Sequence, residues 1–284
     1  GDHRNLHSFP TRRSSDLASG AQKQAEAEYA KLFPDAVPFP IKRDWKPEEV
    51  VTYVGLRASV VFGEQFEQDP VDMVFGTGKE ASGVASFGVP EQDRQVKSRR
   101  QVEVLYCSEE EGLGRLPSPV FSETAEFILD LDKGSQPSQV LVCRVHQGTT
   151  LEQTVDRALQ LAESWQPQSA DARELGEAES LAVPELSFTV DSRFTQMYLQ
   201  GIVLPSINPG QPPHATNIVD VGLLIDFRLN AEGVWVSAVP RLVAGGMARR
   251  FVFDRPFLVL MRVRGEREPY FAMWVANAEL MRKR

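Results

Sequence analysis

Few residues in this chain combine the types and spacing that catalysis or metal binding requires. His146 and His214 are the only histidines beyond residue 17, and neither has a cysteine or carboxylate at metal-ligand spacing. There is no Gly-x-Ser-x-Gly nucleophile elbow and no phosphate-cradling Gly-x-x-x-x-Gly-Lys. Asp130 and Asp132 share one face of a predicted strand, which we interpret as a solvated strand end rather than a cation site. We therefore expect no enzyme, no metal and no other cofactor.

Composition narrows the classes of partner. The chain is 42% apolar and 25% charged, which is typical of a globular protein. A formal net charge of −8 argues against nucleic acid as a partner, because such binding is built largely from basic residues that neutralise phosphates. No apolar run approaches the ~20 residues that cross a bilayer, so no membrane span is predicted. Cys107 and Cys143 fall in predicted strands and are interpreted as buried thiols rather than a disulfide.

The first seventeen residues stand apart from the rest. The segment 7–17 looks like the one-frame translation of a sequencing adapter, so we expect residues 1–17 to be an artefact. The alternative, a natural basic arm that binds nucleic acid, stays open. Residues 18–284 are then expected to form a single domain whose N-terminal part is missing. A signal peptide would be lost with that part, and the localisation is left open.

Strand pairs mixed with a few helices predict an α+β fold with a mainly antiparallel sheet. A capping box, Thr150 to Gln153, predicts a helix that continues to Trp165, and a second short helix is predicted over Phe194–Gly201. Met73–Phe75 and Val84–Val89 are predicted to pair as a hairpin. The other predicted strands are Val50–Phe62, Gln101–Cys107, Ala125–Asp132, Gln139–Val145, Ala182–Val190, Ile218–Leu229 and Val234–Val239.

The last forty or so residues carry the most specific pattern. Two apolar runs, 257–261 and 271–275, flank a charged turn over 264–269 that contains a glycine and a proline. This arrangement predicts a buried β-hairpin.

That hairpin, with the phrase Asp254-Arg255-Pro256-Phe257-Leu258 before it, resembles the C-terminal hairpin of the serpins. Glu232-Gly233 resembles the end of the family's strand that precedes its reactive loop. The order of elements from Val51 to Asn277 is also similar to the second half of a serpin. The resemblance implies a serpin-like fold of large, mainly antiparallel sheets, a few helices and an exposed reactive loop near the C-terminus.

The same resemblance implies a function without catalysis by this chain. In inhibitory serpins a protease attacks the loop and forms an acyl-enzyme. The cleaved loop then inserts into the large sheet and distorts the protease before it can be released. The implied partner is a serine or cysteine protease, and we expect a monomer that is extracellular if it is typical of the family.

The resemblance also assigns residues to the loop. The implied hinge consists of Glu232, Gly233, Val234, Trp235, Val236, Ser237 and Ala238. The candidate scissile region consists of Ala244, Gly245, Gly246, Met247, Ala248 and Arg249. Counting from Gly233 places the scissile bond near Met247, whereas counting back from Pro256 places it near Gly245. Met247 would suit elastase-like or chymotrypsin-like proteases, and Arg249 or Arg250 would suit trypsin-like ones.

The hinge departs from the small residues usual in inhibitors. Trp235, Val236, Val239 and Pro240 are larger or stiffer, and a proline cannot donate a hydrogen bond within a central strand. A second interpretation therefore stays open, in which the chain is a non-inhibitory or degenerate serpin-like protein with a binding or structural role.

Overall fold

A computed structural model describes residues 7–8, 23, 26–27, 49–59, 62–91, 97–108, 125–134, 137–167, 169–193, 199–204, 214–231 and 249–284. The chain divides into two compact units. The first comprises Gly1–Ser59 with Phe188–Phe227, and the second comprises Val60–Ser187 with Arg228–Arg284.

Strands dominate the described residues. They are β1 (His7–Ser8), β2 (Glu49–Ser59), β3 (Glu67–Gln68), β4 (Val74–Phe75), β5 (Ser82–Gly83), β6 (Ser86–Val89), β7 (Glu103–Cys107), β8 (Phe127–Asp130), β9 (Ser138–Arg144), β10 (Ser180–Pro184), β11 (Leu186–Arg193), β12 (Leu199–Leu204), β13 (His214–Leu229), β14 (Arg250–Val252), β15 (Phe257–Val263) and β16 (Pro269–Val275). The one α-helix whose bounds are described is α1 (Leu151–Ser164), and short 3₁₀ helices cover Gly78–Glu80, Lys97–Gln101, Ala170–Arg173 and Ala278–Leu280. The mainly antiparallel α+β class is confirmed.

The first unit contains a five-stranded sheet in the order β1-β2-β13-β11, with β12 also paired to β13. The predicted helix over Phe194–Gly201 is wrong for residues 199–201, which begin β12, with Leu199 opposite Ile218 of the antiparallel β13. Residues 194–198 lie outside the described residues. The β-branched Ile202 and Val203 favour a strand, and pairing with β13 prevails over the weak helical pattern. His214 is the first residue of β13.

The second unit contains a five-stranded sheet in the order β16-β15-β9-β8-β7. The predicted closing hairpin is confirmed, with Phe257 opposite Val275 and Met261 opposite Phe271. The central strands read as nearly continuous apolar runs, and residues 257–260 of β15 are all fully buried. Such runs are expected where both faces of a sheet are covered.

Helix α1 covers one face of this sheet. Its first turn is capped as predicted, since the Thr150 hydroxyl accepts a hydrogen bond from the Gln153 N–H at 3.1 Å. Val155, Ala158 and Leu159 recur at helical spacing and are buried. They pack with Leu105, Ile128, Leu141, Cys143, Leu258 and Leu260 in one apolar cluster.

A four-stranded sheet in the order β14-β10-β6-β3 completes the main elements of the second unit. Here the strand predicted over Ala182–Val190 proves to be two strands, β10 and β11, which belong to different sheets. The break falls at Glu185, whose N–H donates to the Ala85 carbonyl at 2.9 Å and whose carboxylate accepts from the Arg282 guanidinium at 2.5 Å. The bond to Ala85 continues the β10–β6 register by one residue, and beyond Glu185 the chain belongs to the other sheet.

The hairpin predicted between Met73–Phe75 and Val84–Val89 holds at Val84, whose N–H donates to the Met73 carbonyl at 3.2 Å, but is wrong for residues 86–89. Residues of β4 pair with β5, Val74 opposite Gly83 and Phe75 opposite Ser82. The chain then turns away, and β6 pairs with β3 and β10 instead. The sequence pattern marked the apolar segments correctly but did not distinguish their partners.

Candidate functional site

Most residues that the sequence assigns to the loop lie outside the described residues. These are Glu232, Gly233, Val234, Trp235, Val236, Ser237, Ala238, Ala244, Gly245, Gly246, Met247 and Ala248. Of the candidate scissile region, only Arg249 is described. The structure therefore defines the frame at the two ends of the segment 232–248.

At the upstream end, β13 and the residues after it are firmly packed. Phe227 and Leu229 are fully buried while the intervening Arg228 is exposed, the alternation expected of a strand with one apolar face. The Phe227 ring stacks on Phe188 with centroids 5.3 Å apart. Ala231, also buried, is the last described residue before Glu232. The segment thus departs from a packed strand end.

At the downstream end, Arg249 is clamped by Glu179. The Arg249 Nε and one Nη donate to the two carboxylate oxygens of Glu179 at 2.5 and 2.9 Å. The two side chains are only 12% and 14% exposed. Further hydrogen bonds run from the same guanidinium to the carbonyls of Ala172 and Glu174 at 3.1 and 3.2 Å. A bidentate, largely buried ion pair of this kind fixes both the position and the orientation of the Arg249 side chain.

The Glu179 carboxylate is itself held in place by the turn over residues 176–179. The Glu179 N–H donates to the Gly176 carbonyl at 3.0 Å, and the Gly176 N–H donates back to the Glu179 carboxylate at 2.8 Å. The buried Arg99 donates to the carbonyls of Gly176 and Glu179, the latter at 2.6 Å. The turn is thus held both by its own hydrogen bonds and by Arg99, and it orients the Glu179 carboxylate toward Arg249.

Strand β14 begins directly after the clamp and runs parallel to β10, with Arg250 opposite Ser180 and Phe251 opposite Leu181. The Ser180 N–H donates to the Arg249 carbonyl at 3.2 Å. Arg250 pairs with Glu91 at 2.5 Å, with side chains 40% and 30% exposed. Backbone and side chains together hold this end of the segment.

Aromatic packing lies beneath β14. The Phe127 ring meets Phe251 and Phe253 edge to face, with centroids 5.3 and 5.0 Å apart. Phe253 also packs on Phe257 at 5.3 Å, and the Arg249 guanidinium lies 5.3 Å from the Phe251 centroid. The phenylalanines of residues 251–257 therefore form an aromatic core next to the downstream end of the segment 232–248.

The carboxylates considered as a cation site have a structural role instead. Asp130 and Asp132 were predicted at a solvated strand end, but they are only 0% and 3% exposed. Asp130 accepts from Arg264 at 2.8 Å and from Gln139 at 2.9 Å. Asp132 follows the strand and accepts from the backbone of Gly63 and Gly134. Their oxygens thus serve turns and an ion pair.

His146 also has a structural partner. The carboxylate of the largely buried Glu126 accepts from the His146 N–H at 2.7 Å and from Arg157 of α1 at 2.8 Å. Burial opposes ionisation of Glu126, but the hydrogen bonds from Arg157 and His146 outweigh it and lower the pKa of that carboxyl. The contact ties α1 to the sheet that it covers.

The two cysteines are buried and no disulfide joins them. Burial raises the pKa of the Cys143 thiol well above its usual range, despite the charge of Arg262 nearby. Within the described parts of the chain, no three His, Cys, Asp or Glu side chains are grouped to hold a metal ion. No described helix is long and apolar enough to span a membrane.

The sequence did not point to Glu179, Arg99 or Gly176. Glu179 is the last acidic residue of a short Gly-Glu-Ala-Glu run that has no periodicity. Its partner Arg249 lies seventy residues away, so only the tertiary pairing of β10 with β14 brings them together. No local signal identifies a contact of that kind.

Comparisons with known proteins concern the fold. No sequence family model and no curated protein matches the chain. Solved structures similar to it include Serpin48 of the insect Tenebrio molitor (14% identity, TM-score 0.45) and native protease nexin-1 with heparin (10%, 0.48), each over 91% of this chain and 65% of the other. Uncleaved ovalbumin is similar over 90% of this chain and 62% of its own length (12%, 0.49). These structures are serpins, and the chain spans slightly less than two thirds of their length.

Proposed function

We propose that this chain is part of a divergent serpin that presents residues 232–248 as bait to a protease and traps it. The observation that carries the proposal is the framing of that segment. It leaves the packed end of β13 in one sheet and re-enters as β14 in another, where the Arg249–Glu179 pair anchors it. This framing supports the loop position that the motifs at Glu232-Gly233 and Asp254–Leu258 imply.

In the proposed reaction the nucleophile belongs to the target protease. Its serine oxygen or cysteine sulfur attacks the carbonyl of the scissile bond. The peptide C–N bond breaks, the proton of the nucleophile passes through the protease's base to the departing amine, and an ester or thioester links the two proteins. Hydrolysis of that link would release intact protease, so loop insertion must be faster.

Insertion has a definite geometric requirement. The loop follows β13 directly, so after cleavage it would fold back and run antiparallel beside β13. In the sheet order β13 already has β2 and β11 as neighbours. The incoming strand would therefore separate β13 from β2 or from β11. It would then pair with β13 on one side and with the separated strand on the other. Everything that weakens the new ladder slows this step.

Pro240 is the residue that most opposes insertion. It cannot donate a ladder hydrogen bond, and the unpaired partner carbonyl costs about 1–3 kcal/mol. About 1.4 kcal/mol in the barrier is a factor of ten in rate. Replacing Val236, Val239 and Pro240 by alanine is expected to raise the fraction of encounters that end in a trapped protease about tenfold. The measurement is the yield of SDS-stable complex with an elastase-like or chymotrypsin-like protease, made with the intact gene product.

A matched variant, Ser237→Ala, changes a residue that is already small and should leave the yield unchanged. If neither the original nor the triple replacement forms stable complex, the trapping function is contradicted. The alternative, a non-inhibitory serpin-like protein, would then be preferred, and Trp235 and Pro240 are the observations that favour it.

A further inference from the structure

Arg249 ends the candidate scissile region and Arg250 follows it. A trypsin-like protease can cut after an arginine only if that residue is accessible. The side chain must enter the protease's specificity pocket, and the carbonyl that is attacked must reach the oxyanion hole. Both groups must therefore be released from other partners. Whether Arg249 and Arg250 meet that requirement determines whether a trypsin-like protease can cut after either of them.

Arg249 does not meet it. Its side chain is 12% exposed, and its guanidinium donates to both carboxylate oxygens of Glu179. The Arg249 carbonyl, which a protease would attack, accepts a hydrogen bond from the Ser180 N–H at 3.2 Å. The side chain of Arg249 is thus bound by Glu179, and its carbonyl is bound by the next residue, Ser180.

Arg250 is held mainly by its backbone. Its side chain pairs with Glu91 at 2.5 Å but remains 40% exposed. The following residue, Phe251, is fully buried and lies opposite Leu181 in the parallel pair with β10. A protease would have to extract that ring from the core to cut the Arg250–Phe251 bond.

We propose that Glu179 is a specificity-determining residue, because its hold on Arg249 withholds the bond after Arg249 from trypsin-like proteases. This inference rests on the proposed function, in which residues 232–248 are the segment that a target protease cuts. It deepens that function by limiting the target class. Within the candidate scissile region, the bonds beside small or unbranched apolar residues such as Met247 remain available, and these suit elastase-like or chymotrypsin-like proteases.

The test is limited trypsin digestion of the intact protein, followed by mass measurement of the C-terminal fragments. The original protein should show little cleavage after residues 249 and 250. Glu179→Gln keeps the size of the side chain but removes its charge, and it should increase cleavage after Arg249 at least tenfold. Cleavage after Arg241 gives a longer fragment and is measured separately.

Glu174→Gln is the matched control. Glu174 is a nearby residue with an exposed carboxylate, which pairs with Lys133. The hydrogen bond from Arg249 goes to the backbone carbonyl of Glu174. Its replacement should leave the digestion pattern unchanged. A second variant, Arg249→Lys, retains a site for trypsin but cannot form the two-pronged pair, and cleavage after residue 249 should rise as well.

Three results would overturn the inference. One is rapid cleavage after Arg249 in the original protein, and another is an unchanged rate in both Glu179→Gln and Arg249→Lys. The third is an increase spread equally to the largely buried Arg144, which would mean general unfolding. Failure of the protein to trap any protease would contradict the proposed function alone, because the digestion pattern does not depend on trapping.

Discussion

Replacing Gly88 by alanine should destabilise the second unit severely. Gly88 lies in β6 with a φ of +157°, and a Cβ built there would come within 1.9 Å of the Leu181 carbonyl oxygen in β10. Contacts between a Cβ and backbone below 3.0 Å are essentially never found, so one strand must move. Overpacking and a strained backbone together should cost about 3–5 kcal/mol, or roughly 10 °C in Tm.

The Gly88→Ala substitution should also affect the downstream end of the segment 232–248, because β10 lies between β6 and β14 in the sheet order. A shift of β10 away from β6 would disturb the pairing that holds Arg250 and Phe251. The control is Gly83→Ala in β5, where a Cβ would meet nothing within 4 Å. Thermal unfolding of both variants distinguishes the two sites. Equal melting temperatures would contradict the close approach of β6 to β10.

Replacing Arg264 by alanine should cost a similar amount for an electrostatic reason. Arg264 donates to the fully buried Asp130 carboxylate at 2.8 Å and to the Asp132 carbonyl at 2.7 Å. Without it a buried carboxylate loses its cation, which typically costs about 3–5 kcal/mol in the free energy of unfolding. Denaturant titration would measure the change.

Arg267, an exposed residue of the same turn, provides the comparison. Arg267→Ala should change the free energy of unfolding by no more than about 0.5 kcal/mol. Adding Asp130→Asn to Arg264→Ala should recover part of the lost stability, because the neutral side chain no longer needs a cation. A cost below about 1 kcal/mol for Arg264→Ala would mean that the pair behaves like one on the surface.

The parts of the fold that sequence predicted well are those set by local pattern. The closing hairpin follows from two apolar runs around a Gly- and Pro-containing turn, and α1 follows from a cap at Thr150 and helical spacing of Val155 and Leu159. The predictions that proved wrong depend on partners distant in the chain. Pairing with β13 made β12 a strand. The predicted Ala182–Val190 strand divides at Glu185 because its two parts pair in different sheets.

The candidate site divides in the same way. Motif resemblance could indicate where a loop should begin and end, because Glu232-Gly233 and the Asp254–Leu258 phrase are contiguous in sequence. It could not indicate the state of Arg249, which is set by a carboxylate seventy residues earlier and a turn that Arg99 fixes. The buried state of Asp130 was missed for the same reason, since its partner Arg264 lies in the distant hairpin turn.

The most direct test of the account is the thermal stability of the intact gene product before and after a single cut in residues 234–248. A trace of elastase-like or chymotrypsin-like protease would make the cut, and mass measurement would confirm its position. If the loop inserts beside β13, a gain of about 5 kcal/mol would raise the Tm by roughly 10–20 °C. An unchanged Tm after complete cleavage would contradict trapping by loop insertion.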